Sequence, residues 1–431
     1  MKIELEKTML TGMLTVLGKL VNRSAADRSF LALRLEAKDG TLSFSTRSFA
    51  EQLMYKTTIP ETDSFTVYAG FDAFRDAVRA SRGRNVTLAY TGEVLTVSDM
   101  VVPLQEANWT PEETHSRGLS CTLPENVLEL FARAAQVIDR TDIRPVLHGI
   151  NLNRDGITAT SGREMIHFPY PMKVESITIP LPVALLQSKC TDAGTVQFWP
   201  ENMETHLRMN VGPWEWRAKA IAGQFPNWRK VIPAEETLTR SVTLSPENAA
   251  QLIAALRSQP DPDDKLAVCL KQAGPDSLDV QAGKWRCAIP ASFTGKWANS
   301  MLCVGSKIVL HFLTQGHTRI ALGEEPHSPF VVTGGEGRFV AMPLNMPAAP
   351  NEKENTVETK ESKVVEPCAP AVTPLDDLGV NVENFRAKLK TLFEESGILL
   401  RKVREAALQQ KQKEREFVQA RKAIERIRMA F

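Results

Sequence analysis

The feature that most constrains this chain is an internal repeat. The segment TLPENVLELFARA (122–134) returns as TLSPENAAQLIAAL (243–256), and a fainter relative, EKTMLTGMLTVLGKL (6–20), stands about as far before the first copy as that copy stands before the second. Each clear copy has a threonine-leucine strand end, then proline where a helix begins, then leucines and alanines at helical spacing. A repeat at this separation means one supersecondary unit used three times, and a single unit of that size cannot bury a core for the whole chain.

A second recurring segment supports the same division. VYAGFDAFRDAVRASRGRNVTLAY, IPLPVALLQSKCTDAGTVQFWP and AIPASFTGKWANSMLCVGSKIVLHF each read as a strand, a short helix and a further strand. LRLEAKDGTLSFST and INLNRDGITATSG add alternating strands joined by Asp-Gly, a strong hairpin signal. The reading is an α+β chain of three equivalent domains, 1–117, 118–238 and 239–346, each with two helices and several antiparallel strands. Residues 347–379 are rich in Pro, Glu, Lys and Thr and read as a flexible linker. Residues 380–431 read as a long C-terminal helix. Its apolar stripe runs through Phe385, Leu389, Leu392, Leu399, Val403, Ala406, Phe417, Ala420, Ile424, Ile427 and Phe431, at spacings suited to a coiled coil or a partner helix.

Charge narrows the functional classes. With 52 lysines and arginines against 51 aspartates and glutamates, the chain cannot grip nucleic acid by bulk charge, so any DNA contact must be local or topological. Six cysteines lack CxxC spacing and read as reduced thiols of a cytoplasmic protein. No run approaches the ~20 apolar residues of a membrane span, and the first residues lack a signal peptide's apolar core. Catalytic signatures fail one by one. GPDSLDVQAGKW (274–285) has the wrong spacing for a phosphate loop, and HExxH, GxSxG and zinc-deaminase patterns are missing. No enzyme activity, cofactor or metal is expected.

Four segments in order carry a family resemblance: TDIRPVLHGINL (141–152) with ITATSGREMI (157–166), EWRAKAIAGQFPNWRKVIP (215–233), and FVAMPLNM (339–346). Over about residues 1–346 the chain resembles the bacterial DNA polymerase III β sliding clamp, most strongly in its middle third. The resemblance implies a head-to-tail homodimeric ring around double-stranded DNA, and a hydrophobic pocket for linear motifs of DNA polymerase, the clamp loader and repair proteins. Carried over position by position, that peptide pocket comprises Leu147, Thr160, Gly162, Met165, Pro226, Lys230, Val231, Val340, Met342, Pro343 and Leu344. Phe225 and Trp228 read equally as core. The bore would be approached by Arg23 and Arg144 first, with Lys19, Arg79 and Arg140; Arg75, Arg82, Arg84, Arg133 and Lys296 are further candidates.

Departures from the family pattern bear on specificity. Ser161 and Glu164 stand where an aspartate and a basic residue are usual, and Asn345 occupies a position often basic. The alternative reading is a clamp-derived scaffold, outside the main replisome, whose C-terminal helix recruits a dedicated coiled-coil partner. A third is self-occlusion, in which KLKTLF (388–393) folds back into the pocket.

Overall fold

The computed structural model describes residues 2–24, 27–107, 109, 118–258, 267–283, 285–297, 301–325 and 327–344. The linker and long helix expected at 347–379 and 380–431, with KLKTLF, lie outside them.

One element order occurs three times. The first repeat runs β1 (Lys2–Glu6), α1 (Lys7–Leu17), β2 (Ala32–Lys38), β3 (Thr41–Arg47), β4 (Glu51–Thr58), β5 (Phe65–Gly70), α2 (Phe71–Ala80), β6 (Asn85–Tyr90), β7 (Leu95–Val97) and β8 (Met100–Val102). The second runs β9 (Leu119–Leu123), α3 (Val127–Val137), β10 (Gly149–Asn153), β11 (Gly156–Thr160), β12 (Glu164–Pro169), β13 (Ser176–Pro180), α4 (Val183–Leu186), β14 (Gly194–Glu201), β15 (Glu204–Val211) and β16 (Trp214–Lys219). The third runs β17 (Arg240–Thr243), α5 (Pro246–Arg257), β18 (Ala267–Gly274), β19 (Ser277–Ala282), β20 (Trp285–Pro290), a short extra β21 (Ser292–Thr294), β22 (Met301–Gly305), α6 (Ser306–Thr314), β23 (Arg319–Leu322), β24 (Phe330–Thr333) and β25 (Arg338–Ala341).

Each repeat contributes two half-sheets. A front half holds the three strands after the first helix and the strand before the second; a back half holds the three strands after the second helix and the opening strand. The front half of the first repeat joins the back half of the second through β4 and β16, giving the order β5-β2-β3-β4-β16-β15-β14-β9. The front half of the second joins the third through β12 and β25, giving β13-β10-β11-β12-β25-β24-β23-β17-β21. Two half-sheets are left over, β1-β6-β7-β8 at one end and β20-β19-β18-β22 at the other.

Local sequence explains most elements. Asp39 and Gly40 both adopt positive φ, as a two-residue hairpin demands, and β2 pairs with β3 around them. Ser245 caps α5 by accepting from Asn248 N at 3.2 Å, with Pro246 in the first turn. The matching Pro124 does not open α3. Asn126 takes a left-handed conformation (φ 58°), so that helix starts at Val127. KIVLHF, expected as a strand, is instead α6: Ile308, Val309, Phe312 and Leu313 recur on one buried helical face despite their β-branched members.

An extended core of buried side chains fills all three repeats, while Val146, Leu147, Met165, Phe225, Trp228, Val331 and Val340 form a separate apolar cluster at the second joint. Cys269 and Cys303 lie opposite one another on β18 and β22 and are joined as a disulfide, which corrects the reading of every cysteine as reduced. Cys121, Cys190 and Cys287 are free thiols. Among the described residues no helix is long and apolar enough to cross a membrane.

Candidate peptide pocket and basic turns

The second joint builds a pocket from backbone upward. Between β11 and β12 the chain reverses through Ser161–Glu164, where Gly162 has φ 83° and a Cβ there would sit 2.9 Å from an Arg144 guanidinium nitrogen. Side-chain hydroxyls hold the turn: Thr160 Oγ1 donates to Glu164 O (2.8 Å) and accepts from Gly162 N (3.0 Å), and Ser161 Oγ accepts from Glu164 N at 3.3 Å. Serine therefore supplies the acceptor that an aspartate would give at this position. Met342 N donates to Arg163 O (2.9 Å), and Leu344 N to Cys303 O (2.7 Å), so the segment after β25 is clipped alongside the turn.

The result is a hollow of about 190 Å³ walled by Thr160, Gly162, Met165, Pro226, Val231, Val340 and Met342. Leu147 is fully buried in the apolar cluster beneath, within contact distance of Gly162, and forms floor rather than wall. Pro343 and Leu344 line an adjoining groove of about 790 Å³ instead, with the end of α3, the start of α6 and again Met342. Lys230 is exposed and lines neither.

Arg163 lines the hollow without having been expected there, and Trp228, which reads equally as core, lines it too. Trp228 is 7% exposed and stacks on His167, ring centroids 4.4 Å apart. His167 continues a buried polar ladder, its Nδ1 3.0 Å from Thr158 Oγ1, which accepts in turn from Asn153. Burial pushes the His167 pKa down to about 4, so the ring under the pocket wall is uncharged near neutrality. Arg229 lies over the Trp228 ring, 4.7 Å from its centroid, and pairs with Asp155 in the β10–β11 turn. The aromatic-proline knuckle thus packs as a wall, and one of its two following charges clamps it. The Asn-Trp pair at 227–228, repeated at 108–109, was the available signal.

Charge at the turn is rearranged. Glu164 points inward, 7% exposed, with its carboxylate 3.0 Å from His311 Nδ1 on α6; burial raises its pKa against the opposing pull of that histidine. Arg163, one residue earlier, is the exposed cation between the two hollows. Arg144 also reaches the pocket rim, where its guanidinium grips Asp142 at 2.9 Å through two nitrogens and holds that carboxyl at about 2.

The other expected bore residues sit in turns that follow helices. Lys19 and Arg23 follow α1, Arg82 and Arg84 follow α2, and Arg140 and Arg144 follow α3; all are exposed. The helix faces themselves mix signs: Asp72 receives both Arg23 (2.7 Å) and Arg75 (2.7 Å), and Arg133 pairs with Glu129 and Glu336. Arg79, at the end of α2, is exposed, as is Lys296. Lys19, Arg79, Arg82, Arg84 and Arg140 have no ion pair among the described residues. Among those residues, too, no group of three His, Cys, Asp or Glu is placed to hold a metal.

This arrangement of three repeats and joined half-sheets is the fold of DNA sliding clamps. More particularly, the chain is similar to the bacterial DNA polymerase III β subunit. It matches the Pseudomonas aeruginosa clamp bound to griselimycin (TM-score 0.67, 14% identity), the Caulobacter crescentus clamp (0.65, 17%) and the Helicobacter pylori clamp bound to a DNA ligase peptide (0.65, 18%), each over 80% of this chain and 100% of the other. No family model and no curated protein matches the sequence.

Proposed function

We propose that this protein is a non-enzymatic DNA sliding clamp of the cytoplasm. Two copies close head to tail around duplex DNA, and the pocket at the second joint tethers DNA polymerase and other factors by short hydrophobic motifs. The observation that carries this is the pair of leftover half-sheets. β4 joins β16 and β12 joins β25, each as a front half meeting the next repeat's back half. β20 is the equivalent front edge with no following repeat, and β8 the equivalent back edge with none before it. Among the described residues both are open edges, and Val101 on β8 is 68% exposed. Unpaired edges are templates for further pairing. A front edge and a back edge on one chain pair between copies by a heterologous contact, which closes into a ring when the rotation allows.

A ring retains DNA by topology, so weak phosphate contacts from the basic turns suffice and base contacts would only impede sliding. The near-balanced net charge fits this. The apolar pocket, with its floor of Leu147 and wall of Trp228, is the kind of site in which one or two anchor side chains concentrate peptide affinity. The clamp loader's part in opening the ring belongs to the same reading.

The test joins the two edges covalently. Val101 lies on one open edge and the free thiol of Cys287 on the other, so Val101→Cys with a short bismaleimide is expected to give a closed covalent dimer. That dimer should remain on circular DNA and leave linear DNA. Equal retention on both, or crosslinks only within one chain, defeats the reading.

A further inference from the structure

The first joint carries a counterpart of the peptide pocket with inverted chemistry. At the second joint Met165 faces Val340 and Glu164 faces Ala341; at the first, Gln52 faces Arg217 and Glu51 faces Ala218. Trp109 takes the place of Trp228, and both are closely buried, at 3% and 7% exposure. An arginine lies against each indole, Arg47 at 5.4 Å from the Trp109 centroid and Arg229 at 4.7 Å from that of Trp228. Beside Trp109 is a hollow of about 170 Å³ between the β3–β4 turn and the end of β16. Where the second joint offers Thr160, Met165 and Met342, this one offers Arg47, Gln52 and Lys219.

Three donors lining this hollow are buried without an acceptor among the described residues: Arg47 Nε, Gln52 Nε2 and Trp109 Nε1. The carboxylates nearby are already engaged. Glu51 accepts from Trp216 Nε1 at 2.7 Å, Glu204 pairs with Lys219, and Glu215 with Arg217 and Lys56. Arg47 also pairs with Asp27 at 3.9 Å and donates to Ser29 Oγ at 2.7 Å, but through nitrogens other than Nε, so what the site holds in excess is N–H donors, and buried donors of this kind call for an acceptor. At the lip Phe49 is 81% exposed, its ring resting 4.2 Å from that of Phe30. An apolar platform beside a hollow whose donors lack acceptors suits a peptide better than a bare anion, because the two features can be filled by neighbouring side chains of one segment.

We propose that the first joint is a second peptide-binding site. It takes an acidic side chain, whose carboxylate accepts from Arg47, Gln52 and Trp109, next to an aromatic or aliphatic side chain that packs on Phe49. A partner anchored by its hydrophobic motif at the second joint and by an acidic motif at the first would be held at two points of one chain. The site needs neither ring closure nor DNA, so its test is independent of the function proposed above.

The experiment uses the full chain with fluorine-labelled tryptophan, the Trp109 signal being assigned with Trp109→Phe. The probe is N-acetyl-glutamyl-phenylalaninamide, compared with its glutaminyl counterpart and with inorganic phosphate. The glutamyl probe is expected to shift the Trp109 signal saturably and leave Trp228 unmoved, with the glutaminyl probe weaker by about tenfold or more. Gln52→Glu keeps the side-chain size but sets a carboxylate against the ligand, and is expected to weaken binding by about tenfold at unchanged melting temperature. Arg47→Met should do the same, with Arg47→Lys as the charge-retaining control. The proposal is overturned by no saturable shift, by equal response to both dipeptides, by phosphate binding as tightly as the glutamyl probe, or by Gln52→Glu binding unchanged.

Discussion

His167 and His317 are buried where a charged ring has little compensation. Burial brings both pKa values down to about 4, and neither His317 ring nitrogen has a hydrogen-bond partner among the described residues. A histidine whose folded pKa lies below its unfolded value of 6.5 binds fewer protons when folded, so stability is lost as pH falls from that value toward 4. The unfolding free energy should therefore drop on acidification by up to about 1.4 kcal/mol per pH unit for each histidine. Denaturant melts from pH 7 to 4 would show it, with His317→Phe removing about half the slope. Because His167 supports the Trp228 wall, affinity for a hydrophobic peptide should weaken over the same range. A pH-independent midpoint would contradict both.

Met342 is a second test at the level of single side chains. It is 38% exposed, lines both hollows and has little packing to lose. Met342→Ala is expected to change stability by less than about 1 kcal/mol, while weakening a hydrophobic clamp-binding peptide by about tenfold in a titration. Unchanged affinity would move the peptide site elsewhere.

Among elements, the disulfide between β18 and β22 closes a separation of 34 residues. A loop of that length stabilises the folded chain by roughly 3–4 kcal/mol in the chain-entropy model. Cys303→Ser or full reduction should lower stability by about that much, and thiol titration of the unreduced, unfolded chain should find four free thiols of the six cysteines. Six would return the chain to the fully reduced reading. This pairing was illegible in the sequence because cross-strand partners far apart in the chain carry no spacing signal. The helices of the clear repeat were legible, since leucine and alanine at helical spacing mark their faces, although proline marks the start of α5 and not of α3. α6 was not, because Ile308 and Val309 favour strands locally while packing of Phe312 and Leu313 decides for helix. The apolar pocket residues were found through family resemblance rather than periodicity. Trp228 reads both ways in the sequence because one tryptophan can serve as core and wall at once, and it does both.

At the level of the molecule, the three repeats leave one front edge and one back edge open among the described residues, and both edges lie within residues 1–346. Truncation to residues 1–346 is therefore expected to keep the dimer mass of the full chain in light scattering. A dimer seen only with the tail present would place assembly in the C-terminal helix and favour the scaffold reading. Leu344, the last described residue, lines the adjoining groove. If KLKTLF occupied that groove, truncation would raise affinity for an added peptide.

Head-to-tail joining has a directional corollary. In the proposed ring, copies related by rotation about the hole would present every equivalent feature toward the same end of it, whereas a face-to-face pair would present them toward both. A collar built from β8 and β20 would thus have a front and a back as it travels. Its two hydrophobic pockets would open on the same face, on opposite sides of the hole, so that two enzymes could wait together on the leading or trailing side and exchange places at one primer end without the collar turning round.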